Sequence, residues 1–291
     1  MSHVQELVEL LRLEAVGNNC FRGHCQNLGF KNLFGGQVLG QSLSAGSQTL
    51  TEGEWAPHSL HAYFLRPGNV VDSIDFEVDC VRDGRSFAMR QITASQNGKV
   101  ILIMMVSFQH PEKGFEHQDK MPEVQGPEGL LSQLELTRMF KEKIPASVRD
   151  IYTADKPIDI RVINPINIFA PEKREPVKYA WMKVDSPLPN DAAVHSHVLT
   201  YATDFNLIGT SMLPHGVSFA QRDMQVASLD HSIWFHRAIK FDEWLLYALD
   251  SPSASSGRGF SRGQLFNQKG ELVASVAQEG LIRKIDLAEK E

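Results

Sequence analysis

The sequence predicts an α+β protein made of two similar units, each with a long helix packed on an antiparallel sheet. Two observations lead to this fold class: one stretch of sequence occurs twice, and the order of predicted elements around it also occurs twice. The length of 291 residues has room for two domains of about 100–150 residues each. A long helix beside an antiparallel sheet must bury its apolar stripe against one sheet face, which is the α+β arrangement.

The repeated segments begin at Gly84 and Gly257. GRSFAMRQITASQNGKVILI in the first half matches GRGFSRGQLFNQKGELVAS in the second, with one residue missing before the turn glycine. Identical residue types stand at four pairs of positions: Gly84 and Gly257, Arg85 and Arg258, Phe87 and Phe260, Gln91 and Gln264. Each copy continues through a turn into an apolar run, and Asn97-Gly98 in the first copy favours a β-hairpin.

The elements upstream of the repeat also correspond. HSLHAYFLR from His58 resembles LDHSIWFHR from Leu229, and a helical stretch precedes each of them. These stretches are FGGQVLGQSLSAGSQTL in the first half and DAAVHSHVLTYATDFNLI in the second. The order helix, strand, strand, strand therefore occurs twice. The first residues predict a further short amphipathic helix, with apolar side chains on one side at Val4, Leu7, Leu10 and Leu11.

The boundary between the two units is predicted in a polar segment from Gln109 to Met121, which contains Pro111 and Gly114. After it, EGLLSQLELTRMF predicts a helix, and residues 159–162 and 177–184 predict the strands that open the second unit. We expect three parts: an N-terminal unit over 1–115, a linker with a helix over 116–149, and a C-terminal unit over 150–291.

Composition excludes several classes of function. The net charge of −6 argues against a protein that binds duplex nucleic acid, which needs a basic stripe to replace phosphate counterions. The longest apolar run, Val100 to Val106, is far shorter than the ~20 residues that span a bilayer. The N-terminus lacks the pattern of a secretory signal, and the final LAEKE is not a peroxisomal address. We therefore expect a cytoplasmic protein.

The cysteines predict neither disulfides nor a metal site. Three cysteines cannot form a disulfide framework, and a cytoplasmic protein keeps its thiols reduced. Cys20, His24 and Cys25 lie close together, but no second Cys/His group follows at the spacing that a four-ligand zinc site needs. The chain also lacks a P-loop, a dinucleotide-binding glycine motif and an H-E-x-x-H motif. No cofactor is predicted.

Asp204 is the first of three candidate catalytic residues. It lies beside an apolar stripe on the second long helix, formed by Val194, Val198, Tyr201, Phe205 and Ile208. A carboxylate at the edge of a buried face must be paired or neutralised, and its pKa can be tuned for general-base work. The alternative is an aspartate that caps or bonds locally near the end of the helix.

Ser228 and Gln278 are the other two candidates. Ser228 begins the predicted strand SLDHSIWFH, and its hydroxyl can both donate and accept. Gln278 ends an alternating row in the last strand, where a buried amide needs a partner. Each residue alone is as compatible with a structural role, and sequence spacing does not show whether they converge with Asp204 on one water molecule.

Other polar residues are weaker candidates. Gly259 to Gly263 reads G-x-S-x-G, but the nucleophile motif needs a helix after it, whereas strand, turn and strand follow Ser261. Ser261 is therefore not predicted as a nucleophile. His58 could touch a substrate or be a structural histidine.

Beyond these patterns, the chain resembles the acyl-CoA thioesterase II family over nearly its whole length. The similarity is carried, in the order found in that family, by the strings FRGHCQNLGFKNLFGGQVLGQSL, HAYFLRPG, VSFQHPEKGFEHQ, LPHG, SLDHSIWFHR, EWLLY, SPSASSGRGF and VASVAQEG. The resemblance implies a double hot-dog fold and hydrolysis of fatty acyl-CoA to free acid and coenzyme A.

The resemblance also implies a catalytic trio: an Asp on the second long helix, a Thr or Ser opening the next strand, and a Gln in the last strand. These correspond to Asp204, Ser228 and Gln278, with serine where bacterial relatives often carry threonine. Coenzyme A carries several phosphate charges, so the resemblance makes Arg258 and Arg262 weak candidates for binding them, although a structural role in the strand turn is equally compatible. A homo-oligomer, either a dimer or a tetramer, is expected.

Two alternatives stay open. A non-catalytic acyl-CoA-binding or regulatory protein could use the same scaffold. A hot-dog acyl-CoA hydratase usually pairs its Asp with a His five positions later, where this chain has Gly209.

Overall fold

The computed structural model describes residues 1–286, and the C-terminal LAEKE (287–291) lies outside the described residues. Within the described part, thirteen strands form one antiparallel sheet. The elements of the first half are α1 (His3–Leu11), β1 (Glu14–Gly17), β2 (Cys20–Gly23), α2 (Gly35–Ser47), β3 (Ala56–Phe64), β4 (Ile74–Asp83), β5 (Phe87–Gln96) and β6 (Lys99–Gln109).

The second half begins with two short helices and continues with the remaining strands. Its elements are α3 (Gln133–Met139), α4 (Ala146–Thr153), β7 (Ile158–Val162), β8 (Val177–Val184), α5 (Ala192–Thr203), α6 (Leu207–Thr210), β9 (Met224–Ser228), β10 (Asp230–Phe235), β11 (Leu245–Ser255), β12 (Arg258–Asn267) and β13 (Leu272–Lys284). Single 3-10 turns lie at Lys141–Lys143 and Leu213–His215.

The sheet repeats one strand order in both halves, as the internal repeat predicts. The order is β1-β2-β4-β5-β6-β3 in the first half and β10-β13-β12-β11-β8-β7 in the second, which is its mirror sequence. Strands β3 and β10 pair at the centre, with Leu60 opposite Ile233, so the sheet runs through both halves without a break. The predicted α+β class with two similar units is confirmed by this arrangement.

Helices α2 and α5 lie side by side against the same face of the sheet and carry its main core. Glycines allow their close approach: a Cβ on Gly36 would come closer than 3.0 Å to the backbone oxygen of Tyr201. The predicted helix α1 packs on both, with Val4, Leu7 and Leu11 buried and Leu10 partly buried.

Three elements differ from the sequence prediction. Helix α3 begins later than expected, at Gln133, because Ser132 and Glu135 form a reciprocal capping box at its N-terminus. Helix α4 follows without having been predicted. Helix α5 ends at Thr203, so Phe205 and Ile208 of the predicted stripe lie beyond it. The break coincides with Asn206, whose φ of 68° is left-handed and stops an α-helix.

The strand predicted to begin at Ser228 begins at Asp230, as β10, and Ser228 is instead the last residue of a separate strand, β9. Both pair with β13, with Ser228 opposite Gly280 and Ser232 opposite Ala277. Residues 229–231 therefore lie opposite only two residues of β13, 278 and 279. One strand thus has one residue more than its partner, which defines a β-bulge. Bulges bend a strand and redirect its side chains, and here the bulge lies next to Gln278.

Between the halves, residues 118–130 pack on the second half of the sheet, on the face that carries Trp181 rather than the α2–α5 core. Gln118 donates from Nε2 to the backbone oxygen of Gly270 at 2.7 Å, and Trp181 Nε1 donates to the backbone oxygen of Gln125 at 2.7 Å. A second apolar cluster forms beneath these residues around Trp181, Leu246, Phe266 and Leu272. Because one sheet spans both halves, the domain boundaries given above stay a prediction. No helix in residues 1–286 is long and apolar enough to cross a membrane.

Candidate active site

Asp204 lies at the C-terminal end of α5, where the helix stops. Its two carboxylate oxygens accept hydrogen bonds from both halves of the protein. Oδ2 accepts from the backbone N–H of Gly36 at 2.9 Å, and Oδ1 accepts from Gln278 Nε2 at 2.8 Å. The carboxylate therefore caps a helix, but not locally as in the alternative considered from the sequence, because the helix that it caps is α2 of the other half.

Helix α2 needs such a cap because its own N-cap residue cannot provide one. Phe34 occupies that position and makes no side-chain cap hydrogen bond. Gly36 is the second helical residue, whose N–H is usually satisfied by the side chain of a Ser, Thr, Asp or Asn at the N-cap. The positive end of the α2 dipole also favours a negative charge at this position. The start of α2 therefore stabilises the ionised form of Asp204.

Gln278 projects from β13 behind Asp204 and is 1% exposed. Besides Asp204, its Nε2 contacts Ser228 Oγ at 3.1 Å and His231 Nδ1 at 3.1 Å. Its Oε1 is buried and has no hydrogen-bond partner within the described part of the chain. The structure thus brings the three sequence-predicted catalytic candidates together, with the Gln278 amide nitrogen as their common neighbour.

The pKa of Asp204 is raised above its usual value, mainly because burial penalises the charged carboxylate. Hydrogen bonds from Gln278, from the backbone of Gly36 and from Ser228 act in the opposite direction and favour the ionised form. A carboxylate held in this balance can accept a proton more readily than an exposed aspartate, while its hydrogen bonds keep it oriented.

Asp204 and Ser228 line a large open cleft of about 2110 Å³. Residues of both halves line it, including residues of α3, α4 and the segment after β7. Much of the wall near Asp204 is apolar, including Phe34, Phe64, Phe205, Ile208 and Met212. Lys178 of β8 also lines the cleft, and burial lowers its pKa to about 8. The cleft is larger than a pocket for a drug-sized ligand, which is about 300–1,000 Å³.

The three weaker substrate-binding candidates lie away from this cleft. Arg258 pairs with Glu279, with 3.0 Å between Nε and Oε1, and Arg262 pairs with Asp250, with 3.0 Å between Nε and Oδ1. The charges of both arginines are therefore paired with carboxylates on neighbouring strands. His58 Nε2 lies 2.8 Å from Ser107 Oγ, and burial lowers the pKa of its imidazole. None of the three lines the cleft, and their contact with substrate stays a prediction.

Ser261 lies in the middle of strand β12, directly opposite Gln278 on β13, and is fully buried. The strand runs from Arg258 to Asn267 without a turn into a helix. The local structure that a G-x-S-x-G nucleophile requires is thus missing around Ser261.

Two features of the site were not predicted from the sequence. One is Gly36, whose backbone N–H donates a hydrogen bond to Asp204, and the other is His231, whose Nδ1 contacts Gln278 Nε2. A signal for Gly36 was available, because two glycines open α2 where a capping residue is normal. His231 carried a weaker signal: it lies in the segment LDHSIWFHR, which resembles the segment that begins at His58 in the other half.

The cysteines do not gather into a metal site in the described residues. Cys25 Sγ donates to the backbone oxygen of Asp72 at 3.1 Å, and burial raises the pKa of this thiol to about 11. Across residues 1–286, no group of three or more His, Cys, Asp and Glu side chains is arranged to hold a metal ion.

Comparison with known proteins agrees with the repeat and the fold. The family described as "Acyl-CoA thioesterase" matches residues 147–281, and that described as "Acyl-CoA thioesterase N-terminal domain" matches residues 25–109. Acyl-CoA thioesterase 2 of Haemophilus influenzae is 40% identical over 280 residues, covering 96% of this chain and 98% of that protein. Acyl-coenzyme A thioesterase 8 of Homo sapiens is 35% identical, covering 94% of this chain and 88% of its own.

Among solved structures, an acyl-CoA thioesterase II from Mycobacterium marinum, TesB2, superposes with a TM-score of 0.77. It is 38% identical, and the match covers 96% of this chain and 99% of that structure. The fold is therefore that of a double hot-dog protein, and the class is that of the thioester hydrolases. The chain belongs to the acyl-CoA thioesterase II family.

Proposed function

We propose that this protein hydrolyses fatty acyl-CoA to free fatty acid and coenzyme A, using Asp204, Ser228 and Gln278. The observation that carries the proposal is the convergence of these three side chains at the cleft between the halves, with Gln278 Nε2 within 3.1 Å of Ser228 Oγ and 2.8 Å from Asp204 Oδ1. All three belong to the C-terminal unit predicted over 150–291, and Gly36 of the N-terminal unit completes the site.

Direct attack by water is the reaction that fits these groups. Asp204 accepts a proton from a water molecule held between its carboxylate and the Ser228 hydroxyl, and the resulting hydroxide attacks the thioester carbonyl carbon. The tetrahedral intermediate then expels the thiolate of coenzyme A, which takes up the proton from Asp204. Thiolate is a good leaving group, so the reaction does not require a strong general acid.

Gln278 acts through the other two residues. Its side chain is 1% exposed and its amide nitrogen already contacts Asp204 and Ser228. We therefore assign Gln278 the task of holding the carboxylate and the hydroxyl at a fixed separation. Fixing a catalytic group before the substrate arrives removes the entropy cost of orienting it during the reaction.

The cleft supports a substrate that is long and largely apolar. Its volume of about 2110 Å³ and its apolar wall residues near Asp204 suit a fatty acyl chain together with part of coenzyme A. Burial of each methylene of such a chain contributes about 0.8 kcal/mol to binding.

The test is release of free thiol from acyl-CoAs of graded chain length by the wild type, Asp204→Asn and Asp191→Asn. Asp191 begins the same helix and caps its N-terminus, so it provides the same chemical change at the opposite end of α5. We expect Asp204→Asn to lose about 10²–10⁴-fold in kcat while it still binds acyl-CoA, and Asp191→Asn to remain active.

Each possible failure has its own meaning. Binding of acyl-CoA without cleavage by the wild type would favour the non-catalytic alternative. Cleavage that survives Asp204→Asn would retain the reaction and reject this site. A covalent acyl group trapped on Ser228 or Ser261 would contradict direct attack by water.

We also propose that the chain forms a homo-oligomer, either a dimer or a tetramer. The support is an apolar area on β3 and β10 at the sheet centre, where Tyr63 is 64% exposed and Trp234 is 39% exposed. Light scattering after size exclusion would measure the mass, and Trp234→Glu should lower it. A wild-type mass equal to one chain would reject the proposal.

A further inference from the structure

His231 of β10 lies directly behind the candidate catalytic residues and is fully buried. Its two ring nitrogens each have one neighbour: Nδ1 lies 3.1 Å from Gln278 Nε2, and Nε2 lies 3.0 Å from Thr203 Oγ1. Thr203 directly precedes Asp204 in the chain. The four side chains therefore form a closed ring of contacts from Asp204 through Gln278, His231 and Thr203 back to the end of α5.

The hydroxyl of Thr203 determines which ring nitrogen carries the proton. Thr203 Oγ1 donates its only proton to the backbone oxygen of Thr200 at 2.9 Å. Toward His231 it can then only accept, so His231 Nε2 must be the protonated nitrogen. Burial lowers the pKa of His231 to about 3, so the ring is neutral and carries a single proton. Nδ1 is consequently bare and presents a lone pair to Gln278.

This lone pair selects one orientation of the Gln278 amide. With Nε2 toward His231 and Asp204, one N–H is donated to the carboxylate, and the other is shared by the imidazole and Ser228 Oγ, each 3.1 Å from Nε2. With the amide reversed, Oε1 would face two acceptors, the carboxylate oxygen and the bare Nδ1. Since Oε1 has no partner in the described part of the chain, the amide is held through its nitrogen alone.

We propose that His231 is a positioning residue for hydrolysis, whose unprotonated Nδ1 holds the Gln278 amide with its N–H groups toward Asp204. This inference rests on the proposed function, because it assigns a task within the same site. His231 does not line the cleft and does not touch the substrate. Its effect reaches the reaction through the orientation of Gln278 and, through it, of the Asp204 carboxylate.

A pair of substitutions separates this role from simple packing. In His231→Asn, the side-chain oxygen can occupy the region of Nδ1 and accept from Gln278, while the contact with Thr203 is lost. In His231→Gln, the longer side chain reaches the region of Nε2 and Thr203, while the contact with Gln278 is lost. Both remove the ring from the same buried position, so a role in packing alone predicts equal damage to both.

We expect His231→Asn to keep kcat within about threefold of the wild type, and His231→Gln to lower kcat by about tenfold or more with KM changed less than twofold. Circular dichroism and thermal unfolding of both variants provide the check on folding. Equal kcat values for the two variants, or a more active His231→Gln, would overturn the proposal.

A measurement on the wild type does not depend on either variant folding. In the full chain labelled with ¹⁵N-histidine, long-range nitrogen–proton correlation spectra report the tautomer of each imidazole. We expect a neutral His231 with the proton on Nε2, and a proton on Nδ1 would overturn the proposal. Wild-type activity in Asp204→Asn would instead reject the proposed site, a separate failure, and the tautomer would still decide whether His231 orients Gln278.

Discussion

The backbone N–H of Gly36 donates to Asp204 Oδ2 at 2.9 Å, although the two residues are 168 positions apart and belong to different halves of the chain. The contact joins the N-terminus of α2 to the C-terminus of α5. One residue thereby supplies both the missing cap of a helix and the carboxylate of the candidate site. The integrity of the site should therefore depend on how closely these two helices approach.

Gly36→Ala tests this dependence. An added Cβ would come closer than 3.0 Å to the backbone oxygen of Tyr201, and backbone cannot move aside as a flexible side chain can. We expect the free energy of unfolding in urea to fall by about 1–3 kcal/mol, the usual cost of overpacking, and hydrolysis to fall with it.

Gly46→Ala is the matched control on the same helix. Its Cβ would meet only side-chain atoms, the nearest being Val106 Cγ1 at 3.2 Å. The gain in helix propensity from glycine to alanine is about 1 kcal/mol, and it should offset the cost of these tight side-chain contacts. The stability of this variant should therefore be close to that of the wild type. Equal loss of stability in both variants would mean that the α2–α5 approach has no special sensitivity at Gly36.

The pH dependence of kcat should carry the signature of Asp204. Burial raises the pKa of this carboxyl, and the proposed reaction needs its ionised form. Activity should therefore be full above the raised pKa and fall as the pH drops through it, at a higher pH than the usual value of about 3.9 for aspartate. The check is kcat at saturating substrate between pH 4 and 9. Asp204→Asn should show low activity without this acidic limb, and an unchanged limb in that variant would assign it to another group.

Much of the architecture was predictable because it follows from local pattern and repetition. The two copies around Gly84 and Gly257 predicted two units, and they occupy matching strands, β5 and β12. The apolar face of α1 was also readable from the sequence.

What the sequence could not provide was the effect of contacts between distant segments. The bulge between Ser228 and Ser232 depends on pairing with β13, so a single continuous strand was expected where two occur. The Asp204 carboxylate could be recognised as unusual on a helix, but its partner Gly36 contributes only a backbone N–H. A backbone donor carries no signal in the residue type, and only the packed structure reveals it.

Replacement of Ser228 should distinguish its hydroxyl from its size. A hydrogen bond to a charged group contributes about 1.5–3 kcal/mol, so Ser228→Ala should lower kcat by about 10–150-fold. The Ser228 hydrogen bond also lowers the pKa of Asp204, so its removal should move the acidic limb to higher pH. Ser228→Thr keeps the hydroxyl and should retain most of the activity. A Ser228→Ala enzyme with wild-type kcat and an unmoved limb would remove Ser228 from the site.

Lys178 is a basic side chain on the cleft wall, and burial lowers its pKa to about 8. No hydrogen bond or ion pair to its Nζ is present among the described residues, so its charge is uncompensated there. Folding therefore disfavours the charged form of Lys178, which lowers the free energy of unfolding. This loss of stability is full below pH 8, where Lys178 is charged in both the folded and the unfolded protein. It declines as the pH rises from 8 to 10.5, the pKa of the unfolded chain, and vanishes above that. Lys178→Met keeps an unbranched side chain without the charge, and should stabilise the protein at pH 7 by about 1–3 kcal/mol.

The control for this prediction lies on the same strand. Lys183 of β8 projects over the ring of Trp244, with Nζ 5.1 Å from the centroid, so its charge has a favourable neighbour. Lys183→Met should therefore be neutral or lose about 0.5–1 kcal/mol. Urea unfolding of both variants at pH 7 and pH 9 measures the difference, and the advantage of Lys178→Met should be smaller at pH 9. Destabilisation by Lys178→Met at pH 7 would contradict the prediction, because it would show that the ammonium group has a favourable partner in solution.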